Sequence, residues 1–258
     1  MKSRFTKISF IALSIFFFSV SYAQEKNCVF QYSVISALMQ GNYDGTLSIE
    51  QLQKKGDFGL GTLNTLDGEV VILDGEFFQV TSKGKVNRIP PEAHTPFAAV
   101  TYFKSDVKKA VPAKQTFKTL TSSLDTDIKS LNQLYAFKIS GTFSYVKTRS
   151  VPAQQKPYKK LVEVTKNQPT FEYKNIKGTI LGFRFPSYVD GVNVPGYHLH
   201  FISDDRTAGG HVLDFTTDDV SCEYAVQNSF TISIPGDGDF LDTDLTKHNA
   251  ADVEKAEK

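Results

Sequence analysis

The spacing of apolar positions changes several times along this chain, and each change predicts an element. From Tyr32, the run VISALMQGNYDG puts Val34, Ile35, Leu38 and Met39 at helical spacing and stops at Gly41, which predicts a short helix. Residues 47–52 predict a second helix, ended by Gly56. The stretch GTLNTLDGEVVILDGEFFQV alternates short β-rich runs with Asp-Gly pairs at 67–68 and 74–75, the pattern of consecutive hairpins. Residues 97–103 read as a further strand, whereas 104–116 are polar, contain Pro112 and read as a loop. A helix capped by Ser122 or Ser123 would carry Leu124, Ile128, Leu131 and Tyr135 on one face. Strands are expected again at 135–147, 161–165, 179–185, 198–202, 211–215 and 229–234, and the tail from Leu245 is polar with a weak helical period. The whole pattern implies an α+β protein with mostly antiparallel strands. The stretch 148–158, with Pro152 and Pro157, is the candidate link between an N-terminal half, 24–150, and a C-terminal half, 151–258.

Residues 1–23 follow a different pattern. Lys2, Arg4 and Lys7 form a basic start, residues 8–20 an apolar run, and Ser21-Tyr22-Ala23 a small-residue cleavage pattern. The apolar run is too short to span ~30 Å of hydrocarbon at 1.5 Å per residue. A secretory leader is therefore expected, with a mature chain beginning near Gln24, exported to the periplasm or the medium. Its removal leaves 26 basic against 28 acidic residues, so the formal charge moves from +1 to −2. Near-neutral charge favours neither nucleic acid nor an anionic membrane surface. Cys28 and Cys222 would meet an oxidising compartment, yet spacing alone does not show that they can bond.

The candidate chemistry lies in GYHLHFISDDRTAGGHVLDF, residues 196–215, which holds three of the five histidines. Residues i and i+2 of a strand face the same side, so His198 and His200 project together, roughly 6.5–7 Å apart at Cα. SDDRTAGG supplies turn chemistry, and His211 opens the returning strand. Three imidazoles with one position left open suit a catalytic zinc ion. A cupin-like oxygenase also presents HxH on a strand. It expects a glutamate soon after, where this chain has Asp204 and Asp205. A secreted metal-binding protein without turnover is a third reading. His94 and His248 read as surface residues, and GDFGLGTL lacks the lysine and strand–helix context of a phosphate cradle.

The segment PGYHLHFISDDRTAGGHVLDF, with its lead-in GTILGFRFPSYVDGVNV, resembles the metal-binding region of α-acetolactate decarboxylases. YSVISALMQGNYDG, GDFGLGTLNTLDGEVVILDGEFFQV and TPFAAVTYF resemble the same family in the same order. The resemblance implies two sheet-containing subdomains, an N-terminal mixed sheet and a C-terminal antiparallel sheet that carries the metal. It also implies conversion of 2-acetolactate to acetoin and carbon dioxide at zinc (Zn2+), held by His198, His200 and His211. By the same resemblance Arg149 sits beside the substrate, Glu69 faces the zinc, and a glutamate near the C-terminus enters the site. That last position maps to Glu257, with Glu254 one helical turn away. The oligomeric state stays open, a homodimer included.

Overall fold

A computed structural model of the chain describes residues 27–247 and 249–257. The expected leader and His248 lie outside the described residues. No helix among the described residues is long and apolar enough to cross a membrane.

The first sheet is built mainly from the N-terminal third. β1 (Cys28–Tyr32) leads into α1 (Ile35–Met39), whose five residues are all buried. β2 (Leu47–Ser48) runs into α2 (Ile49–Gln53), which starts in a capping box between Ser48 and Gln51. β3 (Phe58–Thr62), β4 (Glu69–Leu73), β5 (Glu76–Val80) and β6 (Val86–Arg88) follow as an antiparallel meander. The β4–β5 turn is Asp74-Gly75 with φ of 53° and 78°, the left-handed pair that a two-residue hairpin turn requires. The first Asp-Gly pair instead closes a longer connection, 63–68, in which Thr65, Leu66 and Gly68 all have positive φ. That loop folds Leu66 inward and delivers Glu69 at the first position of β4. β7 (His94–Thr95) pairs with β2, and β8 (Phe97–Thr101) lies between β1 and β3.

The second sheet is antiparallel and curls on itself. β9 (Val107–Val111) precedes α3 (Phe117–Asp127), and then come β10 (Leu134–Arg149), α4 (Leu161–Val164), β11 (Thr170–Phe185), β12 (Gly196–Ser203) and β13 (Gly209–Gln227). β10 pairs with both β11 and β13, and β12 bridges the same two strands, so four strands close a ring. Its inner face holds the aromatic cluster of Phe137, Phe143, Phe201 and Phe215 with Leu120 and Leu124 of α3. Its outer face sends Leu181, Phe183 and Ile202 against Leu60, Val71 and Phe78 of the first sheet. β14 (Ser229–Ser233) returns to the first sheet and pairs in parallel with β1, which makes that sheet mixed. The chain ends in α5 (Ala250–Glu257).

Several local expectations need correction. The polar stretch 104–116 contains β9, an edge strand whose Lys108 and Lys109 are the charges that blunt a sheet edge. The helix after it is capped by Thr116, in a capping box with Thr119, and ends at Asp127. Leu131 is thus exposed, and Tyr135 belongs to β10. The expected strand at 161–165 is helical, because Leu161 and Val164 lie one turn apart and bury against α1 and α5. β10 pairs with β11 and β13 as far as Arg149, where the stretch 148–158 begins to leave the second sheet. No disulfide joins Cys28, in the first sheet, to Cys222, in the second.

Candidate metal centre

Three strand contacts assemble the centre. On β12, His198 and His200 face the first sheet, opposite Phe183 and Leu181 of β11. Between those two residues Gly182 lets the strands close, since a Cβ there would meet the His198 carbonyl at 2.1 Å. β13 starts Gly209-Gly210-His211, and a Cβ on Gly210 would meet the Arg149 carbonyl at 2.5 Å. His211 lies opposite His200 on one side and Arg149 on the other. This depends on a slip in register. Lys147 pairs with Asp214 but Thr148 pairs with Val212, so Leu213 has no partner on β10. Residues 211 and 214 would ordinarily face opposite ways, and the extra residue brings both to one face.

The ring centroids of the three histidines lie 5.0–5.3 Å apart, and one nitrogen of each falls within a common 4.8 Å. His200 donates Nδ1–H to the Val70 carbonyl at 2.8 Å, and His211 donates Nε2–H to the Glu257 carbonyl at 3.0 Å. Those bonds fix the tautomers and leave His200 Nε2 and His211 Nδ1 as lone pairs without a hydrogen-bond partner. His198 Nδ1 is also buried and unpartnered.

Two carboxylates and one guanidinium enclose this group. Arg149 Nη1 donates to Glu69 Oε1 at 2.9 Å, while Nη2 donates to Glu257 Oε2 at 3.1 Å and to the Ala256 carbonyl at 2.9 Å. Glu69 Oε2 is 3.5 Å from His200 Nε2, and Glu257 Oε2 is 3.6 Å from His198 Nε2 and 3.8 Å from His211 Nδ1. All six sequence-expected residues therefore meet, and Glu257 rather than the exposed Glu254 is the one turned inward. Asp204 and Asp205 do not join them. Asp204 is an exposed partner of Lys177, and Asp205 accepts hydrogen bonds within its own turn. His94 is exposed, as expected. Sequence reading missed the carbonyls of Val70, Ala256 and Glu257, because backbone acceptors have no residue-type signal. It also missed the apolar wall. A small pocket of about 20 Å3 meets the centre, walled by Ile35, Leu38, Leu66, Phe97, Val151 and Leu161.

Burial sets the proton occupancy. It holds His198 down to about 3, helped by the Arg149 charge, and holds His200 and His211 well below the ordinary imidazole value. Neutral imidazoles are what a metal ion needs. Burial raises Glu69 to about 7, with Arg149 opposing, and raises Glu257 against the same opposition. The two classes have opposite effects on metal-free stability. Depressed imidazoles contribute stability above their unfolded value of ~6.5 that is lost as pH falls toward 3. The raised Glu69 contributes stability below its unfolded 4.5 that is lost as pH rises through 7. The metal-free protein should accordingly lose stability gently on acidification from 6.5 to 4.5, where the terms partly cancel, and steeply below. Chemical denaturation at half-unit pH steps checks this, and a flat profile down to pH 3.5 would contradict it.

Known proteins resemble this chain over most of its length. A family model described as alpha-acetolactate decarboxylase matches residues 29–247, a span that includes Glu69, Arg149 and the three histidines and ends before α5. An alpha-acetolactate decarboxylase of Brevibacillus brevis is 44% identical over 232 residues, covering 90% of this chain and 81% of that protein. One from Methylococcus capsulatus is 45% identical over 233 residues, covering 90% of each. The crystal structure of alpha-acetolactate decarboxylase from Bacillus subtilis strain 168 superposes with a TM-score of 0.87 at 37% identity, covering 89% of this chain and 99% of that one.

Proposed function

The chain belongs to the alpha-acetolactate decarboxylase family, and from that premise we propose that it releases carbon dioxide from 2-acetolactate, leaving acetoin, at a zinc ion held by His198, His200 and His211. The observation that carries this reading is the set of three buried, neutral imidazoles with unpaired nitrogens, facing two carboxylates that one arginine bridges. Three nitrogen ligands with room for substrate suit catalytic zinc. Bound zinc supplies a Lewis acid where negative charge develops as carbon dioxide leaves.

The chain's own residues do the rest. Arg149 meets the substrate's carboxylate, since its buried Nε–H has no partner. Its charge is shared with Glu69 through Nη1, which keeps it from gripping the leaving carboxylate so firmly that the ground state is stabilised. Departure of carbon dioxide leaves an electron pair on the carbon that carried it, and one proton must be added there to give acetoin. Glu69, raised to about 7, can hold that proton near neutrality and recover it from water afterwards. Glu257 is the second carboxyl within reach of the imidazoles.

An acetoin assay on racemic acetolactate, with metal analysis, tests the reading. We expect one zinc per chain, loss of acetoin formation with a chelator, and recovery with zinc. Glu69→Gln should keep the zinc and lower turnover by ~10²–10⁴, the usual contribution of an acid–base group. Undiminished turnover in the chelated protein would rule out the metal, and near wild-type turnover in Glu69→Gln would rule out the proton role. Export is proposed from the leader pattern, and the intact mass of protein recovered outside the cytoplasm should place its N-terminus at or near Gln24. A mass starting at Met1 would count against cleavage.

A further inference from the structure

Every side chain at the centre is buried, and the pocket that reaches it holds only about 20 Å3, so entry of a substrate requires a wall to move. The wall with the weakest anchorage is α5. Only Val253, Ala256 and Glu257 of its eight residues are buried, and none of the described residues in 234–249 that lead to it is buried. That lead is tied down by a few polar contacts, such as the hydrogen bond from buried Asn42 to Thr243 and the exposed ion pair of Lys156 with Asp239. Eight residues are too few to hold a helix alone in water. α5 therefore persists through its docking: Val253 and Ala256 against the cluster of Ile35, Leu38, Leu161 and Val164, and its last turn on Arg149 and His211. A cleft of about 260 Å3 lies between Ser187, Pro195 and the Ala250, Val253 and Glu254 flank of the helix, on the side toward which it can tilt.

The anchor of that last turn is the residue that meets the substrate. Nε and Nη2 form one edge of the guanidinium, the edge that takes a carboxylate side-on. In this structure Nη2 holds Glu257 and the Ala256 carbonyl, while Nε is buried without a partner. We propose that α5 is a lid latched by this edge: the substrate's carboxylate takes Nε and Nη2 of Arg149 in place of Glu257, and the latch re-forms when that carboxylate leaves as carbon dioxide. Substrate binding thereby loosens the last turn of α5. Loss of the neutral carbon dioxide leaves the guanidinium without its anion, and the Glu257 carboxylate returns to it. The inference rests on acetolactate being the substrate.

Two measurements test it. The first is hydrogen exchange of the 250–257 amides with 2-hydroxyisobutyrate, which has the carboxylate beside a hydroxyl but no ketone, and with acetoin, which lacks the carboxylate. Exchange should quicken with the former only, and equal or slower exchange would overturn the latch. The second uses Val162→Cys with Asp252→Cys, two positions that line one small crevice between α4 and α5, bridged by dibromobimane. Bridging should cut acetoin formation about tenfold or more with metal content unchanged, as expected when a lid gates turnover. A bridged protein as fast as the unbridged one would overturn the lid. An unbridged double variant that binds metal yet yields no acetoin would count against the substrate, leaving the exchange experiment to decide the lid.

Discussion

Replacing His200 by alanine should empty the metal centre and remove acetoin formation together. His200 is the middle member of the group: it neighbours His198 on β12 and pairs with His211 across to β13. Two imidazoles cannot complete the protein's share of a three-nitrogen site, and Glu257, the carboxylate beside both, is held by Arg149 at 3.1 Å. Glu69 could in principle close in, but Arg149 already holds its other oxygen at 2.9 Å. The fold should survive, because the lost hydrogen bond strands only the Val70 carbonyl, at a cost of ~1–3 kcal/mol. The check is metal content and turnover on protein whose far-ultraviolet circular dichroism matches wild type. Full zinc occupancy with retained activity would remove His200 from the ligand set.

Arg149→Met should be the most destabilising single change at the centre, and its cost should depend on pH. Arg149 is only 3% exposed and is the cation between two buried carboxyls. Removing one partner of a buried ion pair typically costs ~3–5 kcal/mol, because the remaining charge is left uncompensated. Here the stranded groups can escape by taking up protons, since burial already raises both Glu69 and Glu257. Without the opposing guanidinium they rise further, so the variant should lose more stability at pH 8 than at pH 5. Arg149→Lys keeps the charge without the planar edge, and should recover stability more than turnover. Urea midpoints at the two pH values, read with acetoin formation, check both statements. An equal loss at pH 5 and pH 8 would mean that the carboxyls are compensated by something other than Arg149.

The hairpins around Asp74-Gly75, α1 with its stop at Gly41, and the shared face of His198 and His200 are legible in the sequence. Each depends on a local rule: a left-handed turn pair, a 3.6-residue period, or alternation along one strand. Likewise the α+β class follows from the succession of such runs. Where the local signal is short or polar, the reading fails. Residues 107–111 look like a loop because an edge strand is free to carry lysines, and residues 161–164 fit a strand or a helix until α1 and α5 arrive to bury one side.

The chemistry divides along the same line. Resemblance to a family pointed to Glu69, Arg149 and Glu257, but no pattern around them distinguishes a buried charge from a solvated one. Arg149 follows Lys147 on the same face of β10, and Glu257 follows Glu254 on a polar helix. Their burial is decided by partners 80 and 108 residues away. A lone charge would be too costly to bury there, and only the assembled pairing makes it tolerable. His211 reaches the centre because β13 slips by one residue at Leu213, a choice made by the closing of four strands rather than by the residues beside it. Sequence determined which side chains were available and how they alternate; the tertiary structure decided which of them face each other, because register and charge burial are set by contacts between distant strands.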